Sequence, residues 1–304
     1  MPESGRPAGE RPGIGGRWQT GCVAAFWTEI ERDVLTVSGP DALTYLQSQI
    51  SQDIRNLADG ESTYTFVLEP TGKVDVLARL VRSSADEFRL DTDAGFGELL
   101  SARLSRFKIR VKAEIVATRS TVVAVRGADA RPLAGVAAWG RDDAFDVFDV
   151  FDAFDGSRPP GDIRHGSLDD LLLARIEAGW PAMGSEITEA SIPAETGVVA
   201  AAVSFTKGCY PGQELVERMD SRGSTAPRFV RRLRGEGSAA VGDSVIHDDK
   251  AVGTLTSVAT TDEGWVALAI IARAAQPGDA VIVATSEAQI DSVVEDIASV
   301  EVES

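Results

Sequence analysis

The chain has 304 residues, 43% hydrophobic and 25% charged, with a formal net charge of −17. That length allows two folding units, each with its own core, while the acidity repels polyanions at long range and excludes a general electrostatic footprint for DNA or RNA. Two cysteines, Cys22 and Cys209, and two histidines, His165 and His247, exclude a disulfide framework and leave too little material for a structural zinc or a histidine-based triad, so no metal site is expected.

The first twenty residues, rich in Gly, Pro and Arg, read as a flexible tail without the apolar core of a secretory signal. With no apolar run long enough to span a bilayer, the expected compartment is the cytoplasm. Order begins at "CVAAFWTEIERDVLTV", a strand, followed by "SGPDALTYLQSQI". There Ser38 and Asp41 have capping-box spacing and Leu43, Leu46 and Ile50 share one helical stripe. "STYTFVL" and "KVDVLARLVR" are strands joined by the turn "EPTG", and "EFRLDTD" continues the sheet. A helix is expected through Leu99, Leu100, Leu104 and Phe107, then a strand "KIRVKAEIVA" with Ile109, Val111, Ala113 and Ile115 on one face. Strand, helix, strands, helix, strand is the order of a split βαβ sheet with helices on one face, an α+β fold with ferredoxin-like halves.

In "FDVFDVFDAFDG", Phe145, Phe148, Phe151 and Phe154 recur every third residue, a period of neither helix nor strand. The repeat reads as a duplication inside a loop near 142–160, with a partner-docking segment as the alternative. In "GSLDDLLLARIEAGWP", Ser167 and Asp170 form a second capping box, and Gly179 and Pro181 end the helix. The basic strip "RFVRRLRG", Arg228 to Gly235, reads as a solvated strand face, and His165 and His247 as structural or exposed. "RFVRRLRG", "DSVIHDDKAVGTLTSVATT" and "GWVALAIIAR" alternate between Asp/Gly turns, as in a small antiparallel barrel. The expected division is therefore tail 1–20, an α+β region 21–226 and a β-barrel 227–304.

The densest chemistry lies in "TKGCYPGQELVER", Thr206 to Arg218. Thiolate is the reactive form of cysteine, and Lys207, two residues from Cys209, is placed to favour it if both side chains point the same way. Gly208, Pro211 and Gly212 make a tight path into a helix whose N-terminus favours an anion. Tyr210, Gln213 and Glu214 add a ring, an amide and a carboxylate for a polar ligand. The bland alternative is an inert, small apolar cysteine in a turn.

"KGCYPGQELVER" closely resembles the K-G-C-Y-x-G-Q-E signature of the YgfZ family of folate-binding proteins, relatives of the glycine-cleavage aminomethyltransferases. "LTVSGPDALTYLQSQISQDIRNL", "FVLEPTGKVDVLARL", "LARIEAGWPAMGSEITEASIPAE", "AVGTLTSVA" and "GWVALAIIAR" are similar to further elements of that superfamily. The resemblance runs from about Cys22 to the end, excepting the Phe/Asp repeat. It implies a site for tetrahydrofolate, or a one-carbon derivative, between two pseudo-repeated α/β halves and the barrel. By position it makes Glu177 the pterin ligand, with Arg175 beside it either paired to a carboxylate or exposed. Cys209 would carry the thiol chemistry with Lys207 biasing it, and Tyr210, Gln213 and Glu214 would complete the candidate site.

One departure limits the reaction. After Thr71-Gly72 the transferases carry an aspartate pair, whereas here Val76 and Leu77 occupy about those places and Asp75 is expected on the other face. Glycine-cleavage transfer is therefore not expected. The resemblance implies a role in assembly or repair of iron–sulfur clusters and indirectly in tRNA modification, with iron–sulfur proteins or their assembly factors as partners and no direct contact with nucleic acid or membrane. The alternatives are a folate-dependent methyl or aminomethyl transferase and a noncatalytic interaction module with a decayed folate pocket.

Overall fold

The computed structural model describes residues 24–126, 148–150, 163–221 and 226–297. The N-terminal twenty residues, Cys22 and most of the Phe/Asp repeat lie outside them. The expected order is present: β1 (Phe26–Ser38), α1 (Ala42–Gln49), β2 (Ser62–Leu68), β3 (Val74–Ser84), β4 (Glu87–Asp93), α2 (Gly97–Arg106) and β5 (Glu114–Arg126). Their sheet runs β2-β3-β4-β1-β5-β6, where β6 is Phe148–Val150, and β7 (Arg164–His165) joins β1 in parallel.

Both faces of this sheet are covered, because successive strand residues point to opposite sides. On one face Leu46 of α1 and Leu100 and Leu104 of α2 pack with Val76, Ala78, Leu80 and Leu90. On the other, Tyr64, Phe66, Leu68 and Leu77 meet Ala174 of α3 (Leu168–Glu177), its C-cap Ala178 and Val216 of α5 (Gln213–Ser221). Between those two helices lies the single turn α4 (Val199–Ala202).

Three local expectations are corrected. Asp41 is the N-cap of α1 but makes no capping bond, because its carboxylate accepts the Lys112 N–H at 2.7 Å instead. The strand expected from Lys108 begins only at Glu114. Before it, Arg110 takes a left-handed φ of 59° and Ile109 is 77% exposed. Leu99 and Phe107 are exposed too, so the buried stripe of α2 narrows to Leu100 and Leu104.

From Arg228 onward the chain forms β8 (Arg228–Gly235), β9 (Ser244–His247), β10 (Lys250–Thr261), β11 (Gly264–Ala272), β12 (Ala280–Ala284) and β13 (Gln289–Val293). They pair in the order β13-β12-β9-β10-β11-β8. An antiparallel bridge between Arg232 and Glu295 then joins the two ends of the sheet, with backbone bonds of 3.1 and 2.9 Å. Asp248 and Asp249, at φ 49° and 60°, make the tight β9–β10 turn whose backbone twist suits a hairpin. Ile176 of α3 packs with Val230, Val266 and Leu268 of the barrel, so α3 is wedged between the two units.

Candidate functional site

A cavity of about 270 Å³ opens between the sheet and α3. Its apolar walls are Tyr64, Leu77, Leu168, Leu171, Leu172 and Trp180, with the Tyr64 and Trp180 rings 4.4 Å apart. Its polar floor comes from neighbouring strands. Arg79, fully buried, gives Nε and a terminal nitrogen to the two Asp91 oxygens at 3.0 and 3.1 Å, and Arg32 Nε donates to Asp91 at 2.9 Å. Arg32 also pairs with Asp93, whose other oxygen accepts the Met183 N–H at 2.9 Å. Charges this deep persist because each is paired and hydrogen-bonded.

The end of α3 explains how Trp180 reaches this cavity. The helix starts on the expected capping box, with Ser167 Oγ accepting the Asp170 N–H at 3.1 Å and Asp170 accepting the Ser167 N–H at 2.7 Å. It stops at Gly179, φ 66°, where Trp180 N–H donates to Arg175 C=O and Gly179 N–H to Ile176 C=O, each at 3.0 Å. This double C-terminal closure reverses the chain and turns the indole under the helix.

Arg175 lines the cavity, but its guanidinium is committed elsewhere: it donates to Glu186 at 2.8 Å, Trp180 C=O at 2.9 Å and Ser257 Oγ of β10 at 2.6 Å. Of the two alternatives left by the sequence, pairing with a carboxylate is the one found. Glu177 points away from the cavity, to the barrel. Its side chain is 7% exposed and forms a two-pronged pair with Arg234, one bond at 2.7 Å, while Arg232 donates to its carbonyl at 2.6 Å. The carboxylate that the resemblance assigned to the pterin is held by arginine.

Cys209 is exposed and lies in a separate surface depression with Pro70, Tyr210, Gly212, Gln213, Glu214 and Glu217. Two glycines set that depression. Gly212 and Gly72 both have positive φ, 83° and 90°, and a Cβ on Gly212 would lie 2.5 Å from the Glu69 carbonyl. The cysteine loop thus rests directly on the β2–β3 turn. Gln213 folds back to accept the Tyr210 N–H at 3.2 Å and its amide also reaches Glu217. The Tyr210 hydroxyl is pushed up to about 12 by burial and then by Glu217.

Lys207 is buried rather than presented to the thiol. Its Nζ donates to the carbonyls of Gln47, Ile50 and Gln52 at 2.7, 2.6 and 3.0 Å. An ammonium has three donors, so none is left for Cys209. Desolvation holds the amine down at about 8, against an opposing pull from Asp53. The expected residues therefore fall in four places: Arg175 at the cavity, Glu177 at the barrel seam, Lys207 at the end of α1, and Cys209, Tyr210, Gln213 and Glu214 around the depression.

No family model matches the chain. It is 27% identical over 289 residues to the tRNA-modifying protein YgfZ of Edwardsiella ictaluri, covering 82% of this chain and 84% of that one. It is 30% identical over 222 residues to the mitochondrial iron–sulfur cluster assembly factor IBA57 homolog of Pyricularia oryzae, covering 68% of this chain and 57% of that one. The structure matches the glycine cleavage system aminomethyltransferase T of Bartonella henselae with a TM-score of 0.74 at 18% identity, over 90% of this chain and 86% of that one. The chain is similar in sequence to the YgfZ proteins over most of its length. Its fold is that of the aminomethyltransferases, α+β with a C-terminal antiparallel barrel.

In this YgfZ-like chain the basic strip is neither a solvated face nor a polyanion site. Arg228 pairs with Glu195, Arg231 with Asp296, and Arg232 and Arg234 with Glu177 and Glu295. The residues that sequence reasoning missed are those of the cavity, Tyr64, Trp180, Arg32, Arg79 and Asp93, and Asp91 buried behind them. Their signal was present in part. Arg79 and Asp91 are buried charged residues at directly paired positions of neighbouring strands, an arrangement that costs stability unless both are satisfied.

Proposed function

We propose that the protein binds tetrahydrofolate, or a one-carbon derivative, in the cavity beneath α3, and serves the assembly or repair of iron–sulfur clusters and, through them, tRNA modification. The observation that carries this reading is the cavity itself, with an aromatic and aliphatic wall over an ionic floor. Its volume of about 270 Å³ suits the ring end of a folate, near the lower bound for small-molecule pockets. Asp93 makes two of the several bonds that a carboxylate accepts, which leaves capacity for the ring N–H and amino donors of a pterin. The names of the relatives, tRNA-modifying protein and iron–sulfur cluster assembly factor, support the cluster-related role.

Cys209 supplies the thiol in this reading. Its exposed depression shares no lining residue with the cavity, an arrangement suited to an acceptor presented by another protein. Glycine-cleavage transfer is not part of the proposal. Leu77 offers hydrocarbon to the cavity, Val76 is buried against α1 and α2, and Asp75 is held by Arg103 of α2 at 3.0 Å. No helix among the described residues is long and apolar enough to cross a membrane.

The test is anaerobic calorimetric titration of the full chain with tetrahydrofolate. Saturable one-site binding, weakened by Leu168→Asp at the exposed rim, is the expected result. Absence of saturable heat retires the folate reading and favours the interaction module.

A further inference from the structure

The segment that carries Cys209 is tied down at both ends of a short span. Upstream, Ser51 Oγ donates to Ala202 C=O at 2.6 Å, Gln52 Nε2 to Ala201 C=O at 3.1 Å, and Ser204 N–H to Ser51 C=O at 3.0 Å. Downstream, α5 begins at Gln213. Between Ser204 and Tyr210 the residues Phe205, Thr206, Gly208 and Cys209 are exposed, and only Lys207 and Tyr210 are buried. Among the described residues, the N–H groups of Phe205 to Cys209 make no backbone hydrogen bond. The span is thus anchored by side chains rather than by secondary structure.

Those two anchors touch each other and bracket the thiol. Lys207 Nζ lies 5.2 Å from the centre of the Tyr210 ring, a cation over an aromatic face. The carbonyls that receive the ammonium come from the last turn of α1, from Ile50 at its C-cap and from Gln52 just beyond. These are acceptors that a helix end leaves open, at the end whose dipole favours a cation.

Resting on the reading of Cys209 as the functional thiol, we infer that Lys207 is its positioning residue: the ammonium, clamped by the carbonyls of Gln47, Ile50 and Gln52 beneath the Tyr210 ring, fixes the direction in which the exposed thiol is presented. Lys207 acts through the backbone and touches no reacting atom. A spread ionic contact with the thiol is not needed for this role. The requirement is a compact, three-donor head at one point, which the planar guanidinium of arginine does not supply.

A nitroxide spin label attached to Cys209, in a Cys22→Ser background, reads this directly. In the parent, motion of the label is restricted; in Lys207→Met it becomes severalfold faster, with circular dichroism and thermal midpoint showing a folded chain. Lys207→Arg, which keeps the charge but not the geometry, gives intermediate motion, as does Tyr210→Leu. If Lys207→Met does not fold, the latter two variants carry the test. Label motion equal to the parent in the folded variants overturns the inference. Because this readout needs no activity, its failure is distinct from failure of the thiol reading, which Cys209→Ala with full biological activity would show.

Discussion

Glu177 and Arg234 are joined by a two-pronged ion pair that fastens the last turn of α3 to the first strand of the barrel. Both side chains are nearly buried, at 7% and 14% exposure, and Arg232 and Glu295 extend the pair into a cluster of four charges. Removing one partner from such a pair leaves charge without compensation. Glu177→Ala is therefore expected to lower unfolding free energy by about 3 kcal/mol, measured by chemical denaturation. Calorimetry on the same variant separates this from ligand binding, since folate affinity should stay near that of the parent.

Leu168 offers the opposite case, a cavity residue whose loss costs the fold little. It is 65% exposed at the rim. Leu168→Ala should weaken tetrahydrofolate binding by about 1 kcal/mol through lost apolar contact, with an unchanged thermal midpoint. Unaltered affinity would put the ligand elsewhere.

Cys209→Ala should abolish complementation of a deletion strain while changing stability by no more than about 0.5 kcal/mol, because the side chain is exposed and packs against little. Full rescue by the variant would exclude thiol chemistry at this position.

Gly212→Ala tests the seat of the cysteine loop. At φ 83° any side chain is strained, and its Cβ would sit 2.5 Å from the Glu69 carbonyl. Backbone strain alone is worth about 1–3 kcal/mol, so a lower denaturation midpoint is expected together with loss of activity. A variant as stable and as active as the parent would show that the loop does not depend on this contact.

The Lys207 amine makes stability depend on alkaline pH with a definite sign. Its folded value is depressed by burial to about 8 from the ordinary 10.5. Between those values the unfolded chain holds a proton that the folded chain lacks, so stability rises with pH across that window. Below pH 8 the contribution is flat. Denaturation series from pH 7 to 10.5 should show this rising limb in the parent and its loss in a folded Lys207→Met variant.

What could be read from the sequence was what is local. The α3 capping box, the Gly179 stop and the β2–β3 turn are written in residues a few places apart, and each forms as read. Glu177 could not be placed in this way, because Arg234 lies 57 positions further along the chain. Lys207 looked like a neighbour of Cys209 because it is two residues away in sequence, yet its partners lie 155 to 160 positions away. Strand alternation also misled near Asp75. A bulge opposite Val67 and Leu68 breaks the period there, and Asp75 pairs with Arg103 of α2, the helix whose Leu100 and Leu104 pack with Val76.

The bridge between Arg232 and Glu295 sets an order on how the molecule can come into being. β8 leaves the ribosome about sixty residues before its closing partner, so the barrel has to wait, open at one edge, until the residues through Glu295 have emerged. Ile297 emerges later still and fills the spaces over Gly179 and Gly197, where a side chain of their own would collide with it. The sheet of β1 to β5 and the anchors of the Cys209 segment need nothing that comes after α5. The thiol loop can thus be seated while the barrel is still being made, and nascent chains arrested before Glu295 should already protect that loop from protease.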